Sequence, residues 1–122
     1  MTRRLESFFA AAARLKEALA EPESPLIRDA AIQRFEFCFE LAWKTIQETA
    51  HSHGFECRSP KESLRLAFKN EWIRDEALWL AAFKDRNLTS HTYDQDLAHS
   101  VYQRLLDYAP LFERLAKRLE SL

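Results

Sequence analysis

Helix breakers are scarce in this sequence, and that scarcity limits what it can fold into. One glycine, Gly54, and four prolines are spread over 122 residues. So few turn positions favour a few long helices over many short strands. The run after Pro25 is free of both and ends at Gly54, a natural C-terminal stop, which predicts a helix from about Leu26 to His53. A helix of that length reaches about 40 Å at ~1.5 Å per residue. Ile32, Phe35, Phe39, Ala42, Trp43, Ile46 and Ala50 make one apolar face of it, and Phe37, Cys38 and Leu41 widen that face beyond a single stripe. A surface this broad calls for burial on two sides, against its own bundle and against a partner subunit. The plain alternative is a central helix in a monomer's core.

The other segments follow the same logic. Residues 2–20 keep helical spacing through Leu5, Phe8, Phe9, Ala12, Leu15 and Leu19, until Glu21-Pro22-Glu23-Ser24-Pro25 breaks it. Ser59-Pro60 starts a third helix, with Ser as N-cap, Pro at the first helical position and Glu62 in the first turn. Asn70-Glu71-Trp72-Ile73 reads as a turn into a fourth helix at about 75–88. A last helix is expected at about 93–119, kinked at Pro110. Trp72, Trp79 and Phe83 read as core, because stacking on RNA would need them exposed. The fold class is all-α, with the whole chain, 1–122, as one domain.

Composition excludes several functions. Hydrophobic residues make up 47% of the chain, an ordinary globular share. The net charge is −1, so any nucleic-acid binding must come from a local patch. Cys38 and Cys57 have neither CxxC nor zinc spacing, and a cytoplasmic protein with free thiols is the simplest reading. No apolar run suits a signal peptide or a membrane span. His51 and His53 do not share a helical face, so no metal site is expected there. No cofactor is expected either. A nucleotidyltransferase active site is absent, since no Gly-Ser precedes a pair of metal-binding carboxylates; Asp94 and Asp96 lack that context.

The chemistry concentrates in Arg86-Asn87-Leu88-Thr89-Ser90-His91-Thr92-Tyr93. Trp79, Ala82, Phe83 and Arg86 fall at i, i+3, i+4 and i+7, which puts Arg86 at the edge of a buried surface. Thr92 and Gln95 match a capping box, which would place His91 at or just before a helix N-terminus. A histidine can take the proton of a ribose 2′-hydroxyl, and an arginine can grip a phosphate as charge builds on it. That pairing needs no metal. The plain alternative is that Arg86 only pairs with Glu76, Asp85 or a helix end. Lys61, Arg65 and Lys69 recur every four residues beside Arg58, either as a solvated face or as a phosphate-tracking surface leading to the same site.

The motif Arg86-x4-His91-x-Tyr93 resembles that of the HEPN superfamily. Nearly the whole chain is also similar to the nucleotidyltransferase substrate-binding proteins of bacteria and archaea. Gln33-Arg34-Phe35-Glu36-Phe37-Cys38-Phe39-Glu40-Leu41-Ala42-Trp43-Lys44, Ser59-Pro60-Lys61-Glu62 and Asp85 to Asp94 resemble three blocks of that family, in its order. The resemblance implies an up-and-down bundle of four to five helices, a homodimer, and a minimal nucleotidyltransferase as partner. In the related HepT toxins it implies a metal-independent RNase site in the dimer cleft, with Arg86 and His91 as the catalytic pair. Asn87 would be the polar residue after the arginine. Tyr93 would be the target to which an MntA-like antitoxin adds AMP units. An older reading of the family is a non-catalytic substrate-binding subunit that uses the same motif to hold its ligand.

Overall fold

Four of the five helices start where a short polar side chain accepts from the free N–H groups of the first turn. Thr2 accepts from Leu5 N at 3.2 Å, Ser24 from Ile27 N at 3.1 Å, and Ser59 from Glu62 N at 3.1 Å. Asp94 accepts from both Asp96 N and Leu97 N. In the computed structural model, which describes all of residues 1–122, the helices are α1 (Arg3–Leu19), α2 (Pro25–Ser52), α3 (Pro60–Lys69), α4 (Glu76–Leu88) and α5 (Gln95–Glu120). A single 3-10 turn, Thr89–His91, separates α4 from α5. There is no strand, and the chain is an all-α bundle.

One of the expected starts shifts. The last helix begins at Gln95, capped by Asp94, and not at Tyr93 capped by Thr92. Thr92 instead donates to the Thr89 carbonyl at 2.9 Å and closes the 3-10 turn. An ionised carboxylate offers a stronger acceptor than a hydroxyl, so Asp94 takes the cap. His91 therefore lies in the 3-10 turn and precedes α5 by a short turn. At Pro110 the helix continues unbroken.

α2 lies at the centre, packed against α1, α3, α4 and α5. Its aromatics set the core. Phe35 stacks on Tyr108 at 5.6 Å between centroids, and Phe39 stacks on Phe83 at 5.8 Å. Phe112 receives edges from Phe8 and Trp79. Such pairs add about 0.5–1.5 kcal/mol each beyond their burial. Trp72 and Trp79 are buried and Phe83 packs against the same core, as expected for core residues. Both cysteines are free and buried, and burial pushes the Cys38 thiol up to about 12. The wide face of α2 is not fully covered: Phe37 remains 49% exposed and Leu26 78%.

Candidate active site

Arg86 leaves the last turn of α4 with its side chain 34% exposed, at the margin of the Phe39–Phe83 core. Its partner is neither Glu76 nor Asp85. Arg86 Nη2 donates to Glu40 Oε2 at 3.0 Å, across from α4 to α2. Nη1 lies 3.4 Å from Asn87 Oδ1 and donates to it. The other oxygen of Glu40 faces Lys44 Nζ at 3.3 Å, one turn along α2. Glu40 is thus shared by two cations. Partial burial works against its charge, but hydrogen bonds from Lys44 and Arg86 prevail and hold its carboxyl below the usual range. The Trp43 indole nitrogen also bears on this carboxylate, yet makes no geometric hydrogen bond and stays buried without a partner. One turn back, Glu36 is shifted the other way, because desolvation outweighs the attraction of Arg86.

His91 and Tyr93 emerge from the turn that follows. Both are exposed, Tyr93 by 81%, and their rings meet edge to face at 6.2 Å. No hydrogen bond links His91 to Arg86. Their common anchor is the backbone: Thr89 Oγ1 donates to the Arg86 carbonyl at 2.7 Å, so the turn carrying His91 is tied to the end of α4. Tyr93 and Thr92 form one wall of an open groove of about 610 Å³, with Leu26, Asp29, Glu36 and Phe37 of α2 on the other.

Asp85, next to Arg86, is fully committed elsewhere. It is buried, and it accepts from Arg104 Nε at 2.7 Å and Nη2 at 2.8 Å. The Tyr108 hydroxyl donates to the same carboxylate. Burial first, then this hydrogen bond, pushes the Tyr108 phenol well above its ordinary value. The bond to Asp85 likewise raises Arg104. These contacts fasten the last turn of α4 to α5 and so fix where Arg86 leaves the helix.

The basic stripe is exposed on α3. Lys61 and Arg65 line a groove of about 220 Å³ with Phe68, Glu76, Leu80 and Phe83, and Arg86 is not among its walls. Arg58 pairs loosely with Glu56 at 3.8 Å, and Lys69 has no ion-pair partner. His99 is half-exposed and meets Glu23 at 2.8 Å, which also holds Arg28. Spacing alone did not indicate Glu40 and Glu36 as neighbours of Arg86, or Arg104 as the partner of Asp85. The available signal was the i, i+4 series Glu36, Glu40, Lys44 on α2 and the pair Arg104, Tyr108 on α5.

Residues 3–121 match the family described as nucleotidyltransferase substrate binding protein like. The chain belongs to this family. Among curated proteins, the substrate-binding family member shares 36% identity over 97 residues with a protein of Haemophilus influenzae named probable ribonuclease HepT. That match covers 72% of this chain and 66% of the relative, just under two thirds of the relative's length. A crystal structure of a Thermus thermophilus protein superposes with a TM-score of 0.85 at 46% identity, over 92% of this chain and 98% of that one. A second structure, HI0074 from Haemophilus influenzae, has a TM-score of 0.83 at 28% identity, over 95% and 98% of the two chains. It is described as the fold of a substrate binding domain of a nucleotidyltransferase. No helix of the present chain is long and apolar enough to cross a membrane.

Proposed function

We propose that this chain is a homodimeric, metal-independent endoribonuclease of the HepT type, paired with a minimal nucleotidyltransferase that silences it by adding AMP to Tyr93. The observation that carries this reading is the placement of a half-exposed arginine, an exposed imidazole and an exposed phenol on one short connection between α4 and α5. The 36% identity to a probable ribonuclease supports it.

In the proposed step the 2′-oxygen of the RNA attacks the adjacent phosphorus, and its proton passes to His91. Arg86 meets the charge that gathers on the phosphate oxygens, and Asn87 holds one of its terminal nitrogens. The P–O5′ bond breaks and the leaving oxygen takes a proton from water. A 2′,3′-cyclic phosphate and a 5′-hydroxyl remain. In silencing, the Tyr93 oxygen would attack the α-phosphorus of a nucleoside triphosphate held by the partner, with pyrophosphate leaving. A phenol already 81% exposed needs no local opening for this. Arg58, Lys61, Arg65 and Lys69 would add weak backbone contacts to RNA. A substrate with a single 2′-deoxy nucleotide at the cleavage position tests the step. Cleavage there must disappear, and cleavage that persists rules out attack by the 2′-oxygen.

The second reading is a non-catalytic subunit that presents substrate to the nucleotidyltransferase. The description of HI0074 as a substrate binding domain favours it.

A further inference from the structure

The guanidinium of Arg86 has five N–H donors, in a fixed fork. Two are engaged, one by Glu40 and one by Asn87. Nε–H and one hydrogen on each terminal nitrogen have no partner, and the side chain is 34% exposed. A carboxylate beside a phosphate-binding arginine would normally cancel its charge. Here Lys44 shares the same carboxylate, so the trio Lys44–Glu40–Arg86 has two cations to one carboxylate, and desolvation disfavours the charge of Glu36, the other carboxylate that Arg86 feels. The contact also crosses between helices, from α2 to α4, and therefore fixes the guanidinium relative to the bundle and not only to its own turn.

We propose that Glu40 is a positioning residue: it holds one edge of the Arg86 guanidinium so that the remaining donors face an RNA phosphate, while Lys44 offsets its charge. The proposal rests on the RNase reading above and assigns Glu40 a part in it. Without Glu40 the guanidinium swings with the freedom of a long side chain, and misplacement of a charge-stabilising group lowers turnover more than substrate binding.

The test uses the full-length chain with Glu40→Ala, Glu40→Gln and Arg86→Ala, each checked for helicity and melting. RNA cleavage is followed in EDTA. Glu40→Ala is expected to lower kcat by about 10- to 100-fold with KM within about threefold, and Glu40→Gln, which keeps an acceptor, to recover part of the loss. In parallel, nitrogen-resolved NMR of the Arg86 side chain is expected to show a restrained guanidinium in the wild type and a freely rotating one in Glu40→Ala. Wild-type kcat in Glu40→Ala, or faster cleavage, overturns the proposal, as does an NMR signal that Glu40→Ala leaves unmoved. No cleavage by the wild type would defeat the RNase reading instead, and the NMR comparison alone then decides whether Glu40 orients Arg86.

Discussion

Asp85 sits buried at the last turn of α4 with both carboxylate oxygens in use. Removing it leaves the Tyr108 hydroxyl without its acceptor in the core and releases Arg104. Arg104 is partly exposed and can find water, so the loss stays below that of a fully buried pair. Asp85→Ala should cost about 2–4 kcal/mol in urea unfolding, and Tyr108→Phe about 1–2 kcal/mol. The same contact sets a pH dependence. Tyr108 has its folded pKa raised above the unfolded value. The associated stability is fully present below the unfolded pKa of ~10 and is lost as pH rises beyond it. Thermal melts from pH 8 upward should show Tm falling more steeply above pH ~10 in the wild type than in Tyr108→Phe. Arg86 illustrates what one dimension conceals. His91 and Tyr93 could be grouped with it from the sequence, because they follow within a few residues. Glu40 could not, because it stands 46 residues away and only the packing of α2 on α4 brings it near.

Helix ends divide into those whose chemistry the residues announce and those set by context. Ser59-Pro60 and Gly54 announce theirs. Gly54 has φ +85° and closes α2 with Gly54 N donating to the His51 carbonyl and Phe55 N to the Ala50 carbonyl. α3 ends in the same way, with Glu71 N to the Phe68 carbonyl and Trp72 N to the Ala67 carbonyl, but the left-handed residue is Glu71 at φ 59°. A turn was readable from Asn70 to Ile73, whereas a glutamate in that conformation was not, since nothing in a Glu favours positive φ. Two opposite substitutions follow. Glu71→Gly should stabilise the protein by about 0.5–1 kcal/mol by relieving the strain. Gly54→Ala should destabilise it by about 1 kcal/mol even though a Cβ there meets no atom within 4 Å. Chemical denaturation of the pair checks both signs. The displaced start of α5 belongs to this scale as well: Thr92 and Asp94 both suit an N-cap, and the choice depended on a carboxylate competing with a hydroxyl.

At the scale of the molecule, the sequence was legible in its class because breakers were so few; Pro22, Pro25, Gly54 and Pro60 mark the first two helix junctions, while the last two carry neither Gly nor Pro and were read from turn and cap residues. What lies outside one chain was not legible. The exposed apolar positions of α2, Leu26 and Phe37, border the groove that Tyr93 also lines. If that face closes a homodimer, light scattering should give twice the 14.4 kDa mass of one chain, and Phe37→Glu should shift it to the monomer and abolish cleavage together. A monomeric wild type would leave the cleft without its second wall. The most direct measurement of the central claim is RNA cleavage by purified wild-type protein beside His91→Ala, with EDTA present and no nucleotidyltransferase added. Cleavage by the wild type that is lost in His91→Ala, with the variant equally helical, is the expected result. Equal outcomes for the two proteins, active or inactive, contradict catalysis by His91, and two inactive proteins leave the substrate-binding subunit as the function.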